Sequence, residues 1–126
     1  YGGVDELTTT GPNRISHYRD GRVQSYDLDA ETLGFKGSHI SDLHGGDAVE
    51  NAAILRGVLD GTVDSAKRDV VLLNAGAAFV AAGLAEDIVG GVQLAAEVID
   101  SGAAIAKLDA LIAYSQKLAA GANAAS

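Results

Sequence analysis

Cysteine, methionine and tryptophan are absent from this chain of 126 residues, and proline occurs once. Without cysteine there is no disulfide, no thiolate nucleophile and no cysteine-based zinc site, which fits a reducing, cytoplasmic compartment. Aromatic residues make up only 5%, too few for a sandwich built on large cross-strand side chains. No apolar run reaches the length of a membrane span, because Asp, Asn, Gly or Glu interrupts each candidate, so no membrane partner is expected. Basic residues are also scarce. Nine Lys and Arg against 17 Asp and Glu leave a net charge of −8, and Lys67-Arg68 is the only adjacent basic pair. A surface of that sign repels nucleic acid, which is set aside as a partner. The start, Tyr1-Gly2-Gly3-Val4-Asp5, has neither the basic nor the apolar region of a secretory signal. With no methionine anywhere, the chain reads as a fragment, a processed product or a protein whose beginning is missing.

What remains is 48% hydrophobic and much of it is alanine, a composition for closely packed helices around a real core. Two short segments, Asn13 to Arg19 and Arg22 to Asp29, flank Asp20-Gly21, a dipeptide whose residues both tolerate positive φ, and predict a β-hairpin. Leu33 to Gly46 reads as irregular. Asp47, with Glu50 three residues later, predicts a capped helix that presents Ile54, Leu55, Val58 and Leu59 on one face and ends at Gly61. Asp69 to Gly83 is apolar nearly all round and predicts a helix buried on several sides. Asp87 to Asp100 carries Ile88, Val92, Ala95 and Ile99 at helical spacing, and a last helix is expected from Ala103 to Leu118, with a tail that frays. A lone pair of strands makes a poor sheet. The hairpin is therefore expected to be the edge of a larger sheet, itself a sign of a fragment.

Chemistry has few places to start. Asp5-Glu6 offers two hard oxygen ligands, the kind Mg²⁺ takes one or two of while water and substrate phosphates complete its octahedron. Both can serve one site only if the backbone is irregular there, since neighbouring side chains of a strand face opposite ways. At this composition chance alone yields about 0.5 such dipeptides, so solvated surface charge is the competing reading. Gly45-Gly46-Asp47 opens a helix, but a capping carboxylate there competes with any anion. His17, His39 and His44 lack metal-ligand spacing, although His39 and His44 flank a glycine-rich loop with Asp42. Asn74, inside the most apolar helix, needs a hydrogen-bond partner, most simply a neighbouring backbone. Asn51 is a second amide in an apolar helix. Thr8-Thr9-Thr10 carries hydroxyls suited to a phosphate, or reflects β propensity.

Order and spacing say more than any single motif. Gly2-Gly3-Val4-Asp5-Glu6-Leu7-Thr8 is followed by Thr10-Gly11-Pro12-Asn13-Arg14-Ile15, then by Asp20-Gly21 and Leu33-Gly34-Phe35. Gly45 to Leu55, Arg68 to Ala75 and Ile99 to Ala104 complete the series. The series resembles the anthranilate phosphoribosyltransferases over all but the last ten or so residues. The resemblance implies an α/β fold: residues 1–126 as the C-terminal portion of a nucleoside phosphorylase/phosphoribosyltransferase-type catalytic domain, here a β-hairpin region followed by about four helices. It implies transfer of a phosphoribosyl group from 5-phosphoribosyl diphosphate to anthranilate in tryptophan biosynthesis, with Asp5 and Glu6 as ligands of Mg²⁺. The family's Gly-Thr-Gly-Gly-Asp phosphate loop, its Asn-x-Ser/Thr and Lys-His-Gly segments and its anthranilate-associated arginine have no counterpart here. Substrate contacts and the dimerising helical domain are thus expected in an N-terminal half, and this piece alone is expected to be inactive. The alternatives are a non-catalytic structural fragment and a pyrimidine nucleoside phosphorylase-like enzyme of the same architecture.

Overall fold

The computed structural model describes residues 3–124, and side chains as far as residue 121. Tyr1 and Gly2, the latter the first member of the motif series, lie outside the described residues.

Strands β1 (Asn13–Arg19) and β2 (Arg22–Leu28) pair antiparallel, with Asn13 opposite Leu28 and Arg19 opposite Arg22. The turn works as expected: Asp20 and Gly21 have φ of 51° and 77°, the left-handed pair that matches the twist of a two-residue hairpin. Alternation decides the faces. Asn13, Ile15 and His17 point toward the helices, while Arg14, Ser16 and Tyr18 are exposed. On the outer face Arg14 pairs with Asp27 at 2.9 Å and the Ser16 and Ser25 hydroxyls share a hydrogen bond.

Four helices follow: α1 (Ala48–Leu59), α2 (Ala66–Ala81), α3 (Ile88–Asp100) and α4 (Ala103–Ala124). The stretch between β2 and α1 is less irregular than its glycines suggest, because Ala30–Leu33 and Ile40–Leu43 form single 3₁₀ turns. Side-chain caps set the helix starts. The Asp47 carboxylate accepts from Val49 N and Glu50 N while Glu50 reaches back to Asp47 N, the reciprocal capping box. Ser65 caps α2 through Lys67 N, so that helix begins three residues before the expected Asp69. Asp87 caps α3 through Gly90 N at 2.9 Å. At the other end α4 continues past the expected Leu118 to Ala124. The inner face of α1 also differs from expectation, because Leu55 is 45% exposed while Val58 is buried.

α2 is the central element, buried or half-buried on nearly every side. Its two faces serve two clusters. Leu73, fully buried, joins Leu28 and Ala30 beneath the hairpin, with Leu7, Ile15 and Phe35 packed against them. Leu72 joins Ala95 and Ile99 of α3, with Phe79 and Ala104 at the margin. Full burial of a leucine contributes about 2–3 kcal/mol, so each cluster is worth several such units. α2 and α3 meet backbone to backbone at Gly76 and Gly91: a Cβ on Gly91 would lie 2.3 Å from the Gly76 carbonyl oxygen. Ion pairs Arg68–Asp100 and Arg56–Asp109 brace α3 and α4 from outside, each worth at most about 1 kcal/mol. No single helix among the described residues is long and apolar enough to cross a membrane.

Candidate metal-binding edge

Residues 3–12 carry no regular secondary structure, yet from Leu7 onward they are held by hydrogen bonds. Thr8 is 0% and Thr9 4% exposed, which obliges their backbone groups to find partners inside the protein. Two asparagines supply them in the same way. Asn74 of α2 accepts from Leu7 N at 3.1 Å and donates to Leu7 O at 2.8 Å. Asn13, at the start of β1, accepts from Thr8 N at 2.7 Å and donates to Thr8 O at 2.9 Å. In each case a primary amide pairs with both groups of one residue, as an extra strand would. A third copy of the device occurs at Asn51, whose side chain pairs with Gly46 N and Gly46 O, both at 2.9 Å.

The threonine hydroxyls join this network. Thr8 Oγ1 bonds Thr10 Oγ1 and accepts from Thr10 N, and Thr9 Oγ1 bonds Ser38 Oγ, alongside the backbone bond from Ser38 N to Thr9 O. The three threonines are not in a strand, so β propensity does not account for them, and their hydroxyls bond one another and Ser38.

Asp5 and Glu6 stand just before the two clamped residues. Both are exposed, and the chain bends at both positions. The strand alternation that would send the carboxylates to opposite faces therefore does not apply. None of the ion pairs among the described residues involves either of them. Among the described residues no three His, Asp or Glu side chains converge on a metal-sized site. Two exposed carboxylates fit Mg²⁺ in its usual substrate-bound form, where water and phosphate oxygens fill the remaining positions. A cation held by protein ligands alone does not fit.

The other candidates are dispersed. His17 is half-buried and lines a groove of about 450 Å³ between the inner face of the hairpin and the α2–α3 turn, with Tyr26, Val80 and Glu86. Arg19 spans that groove by donating to Glu86 O at 3.3 Å. His39 and His44 flank the 3₁₀ turn Ile40–Leu43, where Asp42 accepts from His39 N instead of facing a ligand. The start of α1 is no anion site, because Asp47 already occupies the free N–H groups. Asn74 does bond a neighbouring backbone, Val70 O, as expected of an amide in an apolar helix, and it also pairs with Leu7, 67 residues away in sequence. Asn13 is equally central to this edge, and nothing in the sequence marks it beyond its place at the start of a strand.

Residues 1–105 match the family described as glycosyl transferase family, a/b domain. The chain is 47% identical over 115 residues to an anthranilate phosphoribosyltransferase of Desulfatibacillum aliphaticivorans, covering 91% of this chain and 34% of that protein. It is 45% identical over 115 residues to the protein of the same name from Citrifermentans bemidjiense, covering 91% and 32%. Among solved structures it resembles anthranilate phosphoribosyltransferase from Thermus thermophilus, with a TM-score of 0.79 and 39% identity over 89% of this chain and 33% of that one. The Saccharomyces cerevisiae enzyme in complex with 4-fluoroanthranilate, at 24% identity and a TM-score of 0.76, shares the fold. The α/β architecture expected from the motif series is thus the observed one, and the chain spans about a third of the length of these relatives.

Proposed function

The chain belongs to the glycosyl transferase family defined by its a/b domain, and from that premise we propose that it is the C-terminal portion of the catalytic α/β domain of an anthranilate phosphoribosyltransferase. The observation that carries this reading is the 45–47% identity, over 91% of the chain, to proteins of that one name. The reaction moves the phosphoribosyl group of 5-phosphoribosyl diphosphate to the amino group of anthranilate and releases diphosphate. The remaining two thirds of the family's length would carry the phosphate loop, the anthranilate contacts and the helical domain through which a homodimer forms. The hairpin, a sheet of only two strands among the described residues, supplies an edge for the rest of the sheet to join. A cytoplasmic location agrees with the cysteine-free sequence.

In this reading Asp5 and Glu6 would hold Mg²⁺, which would supply charge neutralisation for the leaving diphosphate. The need for it is electrostatic: two exposed carboxylates in a chain of net charge −8 repel a diphosphate unless a cation lies between them. The carboxylates lie on a bend whose downstream side is anchored at Leu7 and Thr8, an arrangement that supports positioning. No general base is assigned among the described residues, and positioning is the contribution proposed for this chain.

The test is turnover of the intact polypeptide carrying this chain, followed by the loss of anthranilate fluorescence. Asp5→Asn and Glu6→Gln are each expected to lower kcat/KM by roughly a hundredfold or more, the scale of several kcal/mol of lost charge stabilisation. Full activity in both variants would remove the metal role. Failure of the parent protein to consume anthranilate, with turnover of a pyrimidine nucleoside instead, would replace the reaction itself.

A further inference from the structure

We propose that Asn74 is the positioning residue of the acidic edge: its amide, presented by α2, sets where the Asp5-Glu6 bend lies and so how tightly the pair holds a divalent cation. The inference rests on the metal role proposed above for Asp5 and Glu6.

The hydrogen bonds define the amide without ambiguity. Oδ1 accepts from Leu7 N, and Nδ2 donates both to Leu7 O and, within the helix, to Val70 O at 2.9 Å. An interchange of the two atoms would set three donor or acceptor groups against their like. The bond to Val70 O orients the side chain, and the two bonds to Leu7 then fix that residue against both sliding and swivelling, which a single bond cannot do. Consecutive Cα atoms are about 3.8 Å apart, so Glu6 and Asp5 follow the clamp at about one and two such steps.

The clamp has a rigid base. Asn74 follows the fully buried Leu73 and stands two residues before Gly76, where α2 lies backbone to backbone on α3. The helix can neither turn nor slide there without opening both apolar clusters. Asn13 performs the matching task at Thr8 from the hairpin side. The bend is thereby tied to the helix layer at Leu7 and to the strand layer at Thr8, while the carboxylates themselves remain exposed. Asparagine is a poorer choice than alanine in a helix interior, and the clamp to Leu7 accounts for its presence at this position.

The experiment measures Mn²⁺ as a probe by electron paramagnetic resonance, in the intact polypeptide with 5-phosphoribosyl diphosphate present and anthranilate absent. Asn74→Ala keeps a strong helix former at the position, and Asn74→Leu is the second variant if the first does not fold. Either is expected to raise the Mn²⁺ dissociation constant about tenfold or more, as loss of a group supporting metal ligands does. Val58→Ala, a buried truncation in α1, should cost stability and leave Mn²⁺ binding unchanged. Introduced into the Asp5→Asn/Glu6→Gln double variant, Asn74→Ala should add nothing, because its effect runs through those carboxylates. If the carboxylate variant weakens Mn²⁺ binding while the Asn74 variants stay within about twofold of the parent, the positioning role is overturned and the metal role stands. If the carboxylate variant itself binds like the parent, both readings fall.

Discussion

Gly90 and Gly91 are adjacent in α3 and face opposite fates on substitution by alanine. In a helix interior that change ordinarily stabilises by about 1 kcal/mol, since alanine loses less backbone entropy. At Gly90, in the first turn of α3, an added Cβ meets only the Asp87 carboxylate oxygen at 3.5 Å, an ordinary contact, so a gain of up to about 1 kcal/mol is expected. At Gly91 the Cβ would lie 2.3 Å from Gly76 O and 2.9 Å from Gly76 C. Ordinary contact begins at 3.4 Å, so the first distance falls short by 3.4 − 2.3 = 1.1 Å. Both obstructing atoms are backbone, and no rotamer change relieves them. α2 and α3 must separate by about that amount, and a gap of 0.5–1 Å already forfeits a quarter to a half of each contact's attraction. Leu72, Ala95 and Ile99 pack across this crossing. Overpacking of this kind costs typically about 1–3 kcal/mol. Taking the upper end because backbone must move, and deducting the propensity gain, leaves a net loss of about 2 kcal/mol for Gly91→Ala. The two variants should then differ by about 2–3 kcal/mol in urea unfolding followed by circular dichroism, with unchanged slopes. Equal midpoints for the two variants would refute the close crossing of α2 on α3.

Three further outcomes follow from particular side chains. Asn13→Ala leaves the buried Thr8 N–H and C=O groups short of a partner; at about 1–3 kcal/mol for each orphaned group, a loss of several kcal/mol in urea unfolding is expected, and a loss under about 1 kcal/mol would mean that water replaces the amide. Burial, reinforced by the Asp64 carboxylate, holds Asp69 above its ordinary value of 3.8, against the pull of Arg68 and Lys36. The folded state therefore binds that proton more tightly than the unfolded chain. Stability falls as pH rises through the window from 3.8 up to the raised folded-state value. Asp69→Asn should accordingly be more stable than the parent at neutral pH, with the difference vanishing at acid pH in thermal melts; a difference constant across pH would show that charge is not its cause. Hydrogen bonds from the Thr62 hydroxyl and Thr62 N hold Asp60 below the usual carboxylate range, so Thr62→Val should raise the Asp60 pKa in an NMR titration, and no movement would discount the hydroxyl.

The features legible in the sequence are those whose causes lie within a few residues. The hairpin is readable from Asp20-Gly21 because both turn residues adopt the positive φ that this dipeptide tolerates. The α1 start is readable because Asp47 and Glu50 cap one another locally. Where a local signal competes with a stronger one, expectation and structure part. The apolar run from Asp69 outweighs Ser65 in the sequence, yet Ser65 is the α2 cap, and Leu55 is largely exposed although its spacing places it on the buried face of α1.

The candidate site divides along the same line. Asp5 and Glu6 stand out as residue types, but whether they can act together depends on the bend, and the bend depends on amides 67 and 5 residues away from the residues they hold. Nothing within a short window distinguishes Asn74 from Asn51, since both are amides within apolar helices. Asn51 closes on Gly46 of its own helix entrance, whereas Asn74 reaches across the fold to the segment bearing the carboxylates. The same pair of hydrogen bonds is thus a local cap in one place and a long-range tether in the other. The difference arises from which backbone the fold brings opposite the amide. On the proposed metal role, a chain of this family in which residue 74 lost its amide while Asp5 and Glu6 persisted would keep both carboxylates and lose the anchor beside them, so the acidic pair alone is a weaker sign of that role than the pair together with its distant asparagine.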